Sequence, residues 1–377
     1  MMVNTRTPRV VYLAFAPVPY DTPILNELAR LVDLHVIYMA RGHELYFFDD
    51  DWGVEPTHRY SFHWSRSIRV PGADVWVQFS LGVSRKLDRL SPDVIITKSW
   101  SPFIFEPLAW KRLRRRRFVM WSESTRVSGL TRGPLSQAVR RLILRQVDAF
   151  VSIGSQATHY LADLGIDPAT VITSCLPAGL ADRAIMRESW DRRGPNRPAF
   201  LFVGRLIPRK RPCELIDAFG ALLRKIPEAT LTIVGDGPLR HTIGDAVSAY
   251  GDRIVMRGWV EGDALRHVYQ QSDILVVPSM REVWGLVVNE ALAHGLYIVA
   301  SDQVGSAFDL VDEASGAVIP AGDQAALLAA MEHAAEAVPH DRKARSRRAA
   351  RVSSCSVTAF ASDLAKATRV AVARYDT

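Results

Sequence analysis

The sequence predicts an α/β protein made of two doubly wound parallel sheets, and three observations carry that prediction. Strand-like apolar runs alternate with helix-like segments almost from end to end, the pattern of parallel sheets with helices on both faces. The alternation breaks once, at the polar stretch Trp190-Asp191-Arg192-Arg193-Gly194-Pro195-Asn196-Arg197-Pro198, and then restarts. A chain of 377 residues also exceeds what one hydrophobic core usually supports. With 48% hydrophobic and 23% charged residues, the composition is globular and excludes wholesale disorder or a collagen-like fibre.

In the first half, strands are predicted at Val10 to Phe15, Leu34 to Met39, Val94 to Lys98, Phe118 to Trp121 and Ala149 to Ile153. Helices fall at Pro23 to Leu31, Phe103 to Leu113, Leu135 to Gln146 and Gln156 to Leu164, while the aromatic, turn-rich stretch Arg41 to Ser80 is left unassigned. In the second half, strands are predicted at Ala199 to Val203, Thr230 to Val234, Ile254 to Met256, Ile274 to Val277 and Tyr297 to Ala300. Helices fall near Pro212 to Lys225, Leu239 to Tyr250, Ala264 to Gln271 and Leu286 to His294. Ser356 to Arg374 closes the chain as a helix with Phe360, Leu364, Ala367 and Val370 on one face. That helix covers either its own domain or the first one. The expected domains are therefore residues 1–190, residues 191–355 and the terminal helix 356–377.

The longest weakly charged stretch, Val283 to Ala300, is interrupted by Asn289, Glu290 and His294, so no membrane span is expected. Val10 to Ala16 follows a polar start, is too short for a spanning segment and lacks a small-residue cleavage pattern in the right place, so no signal peptide is expected. Cys175, Cys213 and Cys355 form no C-x-x-C pair, so neither a disulfide framework nor a zinc site is expected, and a cytoplasmic location fits. The basic excess belongs to the first half, with 24 basic against 18 acidic residues in 1–190 and 23 against 22 in 191–377. Its densest part, Lys111, Arg112, Arg114, Arg115, Arg116 and Arg117, fits a solvated helix C-terminus, an anionic membrane surface on the cytoplasmic side, a phosphorylated acceptor, or nucleic acid. No nucleic-acid-binding module accompanies it.

Three strand-to-helix turns of the second half share one design. In Phe202-Val203-Gly204-Arg205-Leu206-Ile207-Pro208-Arg209-Lys210, Gly204 permits a tight turn, and Arg205 and Lys210 bring two cations to a helix start, as a pyrophosphate would require. In Gly235-Asp236-Gly237-Pro238-Leu239-Arg240, the sixth position of a dinucleotide fingerprint is arginine and not glycine, which weakens a dehydrogenase reading. The alternatives there are a simple helix start with Pro238 at its first position or backbone contact to a donor through Gly235, Asp236 and Gly237. The third turn, Val277 to Gly295, carries Glu282 in a loop and Glu290 eight residues on in the following helix. The amides of Gly285, Leu286 and Val287 open that helix toward phosphate oxygens, and the two carboxylates suit sugar hydroxyls. A charge on so apolar a helix needs a partner.

Together VGRLIPRK, IVGDGPLR, VVPSMREVWGLVVNEALAHG and ASDQVGSAFDLV resemble the glycogen-synthase-like superfamily of retaining, nucleotide-sugar-dependent glycosyltransferases, glycosyltransferase group one. The resemblance covers essentially the whole second half. It implies the GT-B fold, two facing Rossmann-like domains with a cleft between them, the first binding acceptor and the second the nucleotide-sugar donor. By that resemblance Arg205, Lys210 and Glu282 are the catalytic group, the two cations neutralising the departing diphosphate and Glu282 lying near the donor sugar. Glu290 would bond the ribose, Gly204 and Trp284 would line the donor site, and Gly258-Trp259-Val260 resembles the segment beside the nucleobase. It also implies front-face substitution with no metal and no cofactor beyond the donor. Asp49-Asp50-Asp51 does not follow a strand and is read as exposed.

The first half departs from the family at two places. A Gly-Gly loop is common after the first strand, where this chain has Phe15-Ala16-Pro17-Val18-Pro19-Tyr20, and proline cannot donate an amide. A histidine is common after a central strand, where this chain has Ser122-Glu123-Ser124-Thr125. Pro19, Tyr20, Ser122 and Glu123 are therefore the acceptor-side candidates, and His35, His43, His58, His63 and His159 are read as structural or exposed. The aromatic residues Tyr46, Phe47, Phe48, Trp52, Phe62, Trp64 and Trp76 build either an apolar pocket or a core. The acceptor is a lipid-linked, saccharide or small-molecule hydroxyl, as in cell-surface polysaccharide, glycolipid or natural-product glycoside synthesis. The alternatives are a nucleotide-sugar epimerase or phosphorylase of related fold, or a non-catalytic basic membrane-associated protein.

Overall fold

A computed structural model describes residues 7–18, 20–39, 58–70, 77–98, 102–126, 134–177, 197–336 and 341–373. The chain divides into two compact units, Met1–Cys175 with Val357–Thr377, and Leu176–Ser356. The division falls at 175/176 and 356/357, where the sequence reading placed it at 190/191 and 355/356; residues 178–196 lie outside the described residues.

In the first unit the strands are β1 (Arg9–Ala14), β2 (Asp33–Tyr38), β3 (Ser61–Trp64), β4 (Arg66–Val70), β5 (Val77–Leu81), β6 (Val94–Lys98), β7 (Arg117–Ser122), β8 (Ala149–Ile153) and β9 (Val171–Ser174). Seven of them form a parallel sheet in the order β3-β2-β1-β6-β7-β8-β9, and β4 and β5 pair antiparallel beside it as a separate ribbon. The helices are α1 (Asp21–Leu28), α2 (Val83–Leu90), α3 (Phe105–Arg114), α4 (Pro134–Leu144) and α5 (Gly154–Asp163). Because both faces of a parallel sheet are covered, its central strands are apolar throughout; Val10 to Leu13 and Val94 to Ile96 are fully buried. Leu108, Trp110, Ile143, Leu144 and Leu161 pack from the helices onto the face formed by Val11, Leu13, Ile95 and Phe118.

The second unit has β10 (Ala199–Val203), β11 (Thr230–Val234), β12 (Ile254–Gly258), β13 (Ile274–Val277), β14 (Tyr297–Ser301) and β15 (Gly316–Ile319), parallel in the order β12-β11-β10-β13-β14-β15. Its helices are α6 (Pro212–Leu223), α7 (Arg240–Ser248), α8 (Gly262–Gln270), α9 (Leu286–Ala293), α10 (Gly305–Leu310), α11 (Gln324–Glu336) and α12 (Arg342–Ala350). The last helix, α13 (Val357–Ala373), belongs to the first unit. Phe360 packs at a tilt against Trp121 with ring centroids 4.6 Å apart, and Asp363 accepts from the Ser174 hydroxyl at 2.7 Å, so the helix covers the first domain.

The long stretch left unassigned contains β3, β4 and most of β5, and the sequence reading also lacks α2, β9, β15 and α10 to α12. β3 hides because Phe62 and Trp64 are only partly covered and sit at the sheet edge, so no apolar run announces it. α12 hides because its sequence is almost wholly basic, yet Arg345 and Arg348 are buried and satisfied, Arg345 by Asp273 and Arg348 by the Gly295 carbonyl. Cys213 is free, whereas Cys175 and Cys355 are disulfide-bonded, contrary to the expectation of no disulfide.

Candidate functional site

In the second unit the strand order reverses between β10 and β13, and ligands of such sheets bind beyond the carboxyl ends of the strands at that reversal. The loops after β10, β11 and β13 carry the expected residues, and the backbone ties the first two together. Gly204 N donates to the Val234 carbonyl at 3.0 Å, Leu206 N to Asp236 at 2.8 Å, and Leu239 N to Leu206 at 3.0 Å. Gly235 sits at φ 135°, and a Cβ there would overlap the Gly204 carbonyl, so this glycine is required for the two loops to approach. Asp236 accepts from the Gly237 amide at 2.7 Å and from Arg240 at 2.5 Å, and these hold its carboxyl below the usual range. Both of its acceptor oxygens are thus engaged locally.

The loops after β10 and β13 are joined more directly. Met280 N donates to the Arg209 carbonyl at 2.8 Å, and Arg209 donates to the Arg281 carbonyl at 3.0 Å. Beside these bonds Lys210 forms an ion pair with Glu282, both side chains largely buried. The loop after β14 holds Glu282 from the other side, its amide donating to Gln303 at 2.9 Å and its carbonyl accepting from Gly305 at 3.1 Å. Arg205 stands exposed on the first loop. Lys210 and Glu282, seventy-two residues apart, are therefore positioned by three loops.

Gly285 turns the chain into α9 with φ 94°, a left-handed conformation that favours glycine. The amides of Leu286 and Val287 find no acceptor among the described residues, whereas Val288 N already bonds back to Gly285 at 3.0 Å. One and a half turns on, Glu290 is half-buried and accepts from the Tyr269 hydroxyl at 2.7 Å. Burial pushes its carboxyl up to about 7, with Tyr269 pulling part of that shift back. Tyr269 itself is fully buried, stacks on His294 at 5.2 Å and comes from α8, so the partner required for this carboxylate lies on a different helix. Nothing in the sequence singles Tyr269 out.

The remaining donor-side residues divide. Trp259 is 64% exposed, with its ring nitrogen 3.3 Å from Glu261, and Val260 is half-buried beside it. Trp284 turns inward instead. Its ring N–H donates to Asn289 at 3.0 Å, and Asn289 donates on to the Leu176 carbonyl at 2.8 Å, so this side chain anchors the start of α9.

The first unit reverses its strand order between β1 and β6, and a second charged cluster lies there. Lys98, at the end of β6, meets Asp21 of α1 at 2.9 Å and Glu123 after β7 at 3.5 Å, and its ammonium lies 4.6 Å from the Tyr20 ring and 4.4 Å from that of Trp121. Burial works against the Lys98 charge, but Asp21 and then Glu123 outweigh it and hold its pKa above the usual lysine value. Burial raises the Asp21 carboxyl, and Lys98 opposes that rise. Of the acceptor-side candidates, Tyr20 and Glu123 belong to this cluster, Ser122 is buried beside it at the end of β7, and Pro19 lies outside the described residues. Sequence reasoning missed Asp21 and Lys98; a lysine closing an otherwise apolar strand was the available signal. Tyr12 and Trp121 each bury a polar atom, the Tyr12 hydroxyl and the Trp121 ring nitrogen, with no hydrogen-bond partner among the described residues.

The basic run is mostly neutralised within its own unit. Lys111 meets Asp148 at 2.9 Å, Arg114 meets Asp88 at 2.8 Å, Arg116 meets Asp93 at 3.3 Å and Arg117 lies 3.8 Å from Asp148. His35 and His63 stack on each other at the sheet edge, and burial lowers the pKa of His63. His43, Asp49 to Asp51, Tyr46, Phe47, Phe48, Trp52 and Trp76 lie outside the described residues. Among the described residues no three His, Cys, Asp or Glu side chains group as metal ligands would, and no helix is long and apolar enough to cross a membrane.

Two parallel-sheet Rossmann-like units of this kind define the GT-B fold, and solved structures share it. Sucrose-phosphate synthase from Thermosynechococcus elongatus superposes with a TM-score of 0.71 at 20% identity, over 97% of this chain and 100% of that one. Anabaena HepE in complex with UDP and glucose gives 0.67 at 16% identity, over 95% and 98%. The family models then agree: residues 19–175 match the glycosyltransferase 4-like domain and residues 197–337 the glycosyl transferases group 1 domain. The chain belongs to the group 1 glycosyltransferases. It is 27% identical to a GDP-mannose-dependent phosphatidylinositol monomannoside mannosyltransferase of Mycolicibacterium smegmatis over 78% of this chain and 81% of that protein. Other curated relatives match over a third to a half of their own length, 28% to 53%.

Proposed function

We propose that the protein transfers a sugar, with retention of configuration, from a nucleoside-diphosphate sugar to an acceptor hydroxyl. The observation that carries this reading is the Lys210–Glu282 pair at the strand reversal of the second unit, flanked by Arg205 and by the start of α9. Such a set offers cations and amides to a diphosphate and carboxylates to sugar hydroxyls within one site. The relatives support the donor class: the Mycolicibacterium protein uses GDP-mannose, and the Anabaena structure is a complex with UDP and glucose.

In this reading the diphosphate enters beside Lys210, which then shares its charge between Glu282 and the phosphate oxygens. Arg205 and the Leu286 and Val287 amides complete the cradle, and Glu290 accepts hydrogen bonds from the ribose. The acceptor hydroxyl attacks the anomeric carbon on the face from which the diphosphate departs, and its proton passes to a departing phosphate oxygen. One glycosidic C–O bond forms as the C–O bond to phosphate breaks. What the protein supplies is preorganised positive charge at the leaving group, so neither a metal nor a further cofactor is required. The Tyr20, Asp21, Lys98 and Glu123 cluster serves the acceptor. Alanine at Arg205, Lys210, Glu282 or Glu290 should abolish or cripple nucleotide-sugar turnover in a folded protein. Unchanged turnover in all four would reject the site.

A further inference from the structure

Once the internal ion pairs of the basic run are set aside, a different surface stands out. α4 buries Arg140, Ile143 and Leu144 on one side and exposes Val139, Arg141 and Leu142 on the other, joined by exposed Arg145 in the turn that follows, whose amide still bonds the Arg141 carbonyl. At about 100° per residue these four span an arc of about 160°. Leu142 is 66% exposed and Leu113, at the end of α3, is 82% exposed, the two most exposed aliphatic side chains among the described residues. The ends of α3 and α4 are tied together, because Lys111 donates to the Gln146 carbonyl at 2.6 Å, and both leucines lie within a turn of that link.

The charge around the leucines has one sign. Arg112, Arg115, Arg141 and Arg145 are exposed and have no carboxylate partner among the described residues, while α4 and the stretch from Lys111 to Arg117 contain no acidic residue. Isolated exposed leucines are ordinary, but leucines interleaved with unpaired arginines match the chemistry of a bilayer interface, where acyl chains take the apolar tips and phosphates the guanidiniums. A nucleic-acid backbone would satisfy the arginines and leave the leucines in water.

We propose that Arg141 and Leu142 of α4 and Arg145 directly after it, with Arg112, Leu113 and Arg115 at the end of α3, dock the first unit on an anionic phospholipid surface. The docking is separate from the donor site, so it stands or falls independently of the reaction. The test is co-sedimentation of the full chain with vesicles of phosphatidylcholine alone and of equimolar phosphatidylcholine and phosphatidylglycerol. The wild-type protein should bind the mixed vesicles, release from them as salt is raised, and ignore the neutral ones. Arg141→Glu with Arg145→Glu should weaken binding about tenfold or more, and Leu113→Ser with Leu142→Ser several-fold, with unchanged melting temperatures. Arg85→Glu with Arg89→Glu, an equal charge change on α2, should have little effect. The proposal is overturned by absence of binding, by equal binding to neutral vesicles, or by a control pair as damaging as the α4 pair. A concentration-dependent dimer that Leu142→Ser dissociates would overturn it too, by making this face a contact between copies.

Discussion

The two charged clusters are built alike and constrained differently. Each lies where a parallel sheet reverses its strand order, and each pairs a largely buried lysine with carboxylates from other loops or helix starts, two for Lys98 and one for Lys210. In the second unit Lys210 has a single carboxylate partner among the described residues, so in the proposed reaction its charge can be shared with an incoming anion. In the first unit Lys98 is enclosed by two carboxylates and two aromatic rings, so its charge is consumed inside the protein. The difference is one of satisfaction: under the proposed function a buried lysine serves an anion only where its own partners leave charge to share.

Stability should separate them first. Lys98→Ala leaves Asp21 buried without its partner, and breaking such a pair costs about 3 to 5 kcal/mol, to be read as a lower denaturant midpoint of the ligand-free protein. A loss below about 1 kcal/mol would mean that water already satisfies Asp21. Lys210→Ala should lower that midpoint less, because the carboxylate it strands, Glu282, is more exposed than Asp21, 18% against 6%, while removing about 3 kcal/mol of transition-state stabilisation. Steady-state kinetics would then show a fall in kcat on the order of a hundredfold. Equal stability losses from both substitutions would erase the distinction.

Glu290 sharpens the comparison through pH. Its carboxyl is raised by burial to about 7 from an ordinary 4.5, so the folded state favours its neutral form. The stability it contributes is present below about 4.5 and declines as pH rises to about 7. Ribose hydroxyls prefer the carboxylate, so nucleotide affinity should move oppositely and rise through about pH 7, with a proton released on binding. Calorimetry in buffers of different ionisation heat would detect that proton, and Glu290→Gln should abolish both trends. The smallest effect belongs to Tyr269→Phe. Because the Tyr269 hydroxyl lowers the Glu290 pKa, its removal should shift the affinity midpoint upward, by up to about one unit. A downward shift would show that the phenol favours the neutral acid.

The second-unit cluster proposed for the donor was legible because its residues are local in the chain. Gly204 to Lys210 and Glu282 to Glu290 each occupy one loop and one helix start, and a parallel βαβ repeat brings successive loops to the same edge. The strands β10, β11 and β13 were equally legible, being short apolar runs buried on both faces. The first-unit cluster was only half visible. Lys98 and Asp21 are seventy-seven residues apart and neither sits in a motif, so their contact depends on strand order that spacing does not reveal. Edge strands such as β3 and basic helices such as α12 escaped for a related reason, since partial exposure or buried, paired arginines remove the apolar periodicity on which sequence reading depends.

The most direct measurement is a metal-free thermal-shift panel of nucleoside diphosphates and nucleotide sugars on the wild-type chain and Lys210→Ala. At about a hundred times Kd a ligand stabilises the native state by about 2.7 kcal/mol, a rise of a few degrees. The account predicts such a rise for at least one nucleotide in the wild type and its loss in Lys210→Ala, with Lys98→Asn retaining a shift from its lower baseline. A nucleotide shift that survives Lys210→Ala undiminished would contradict it.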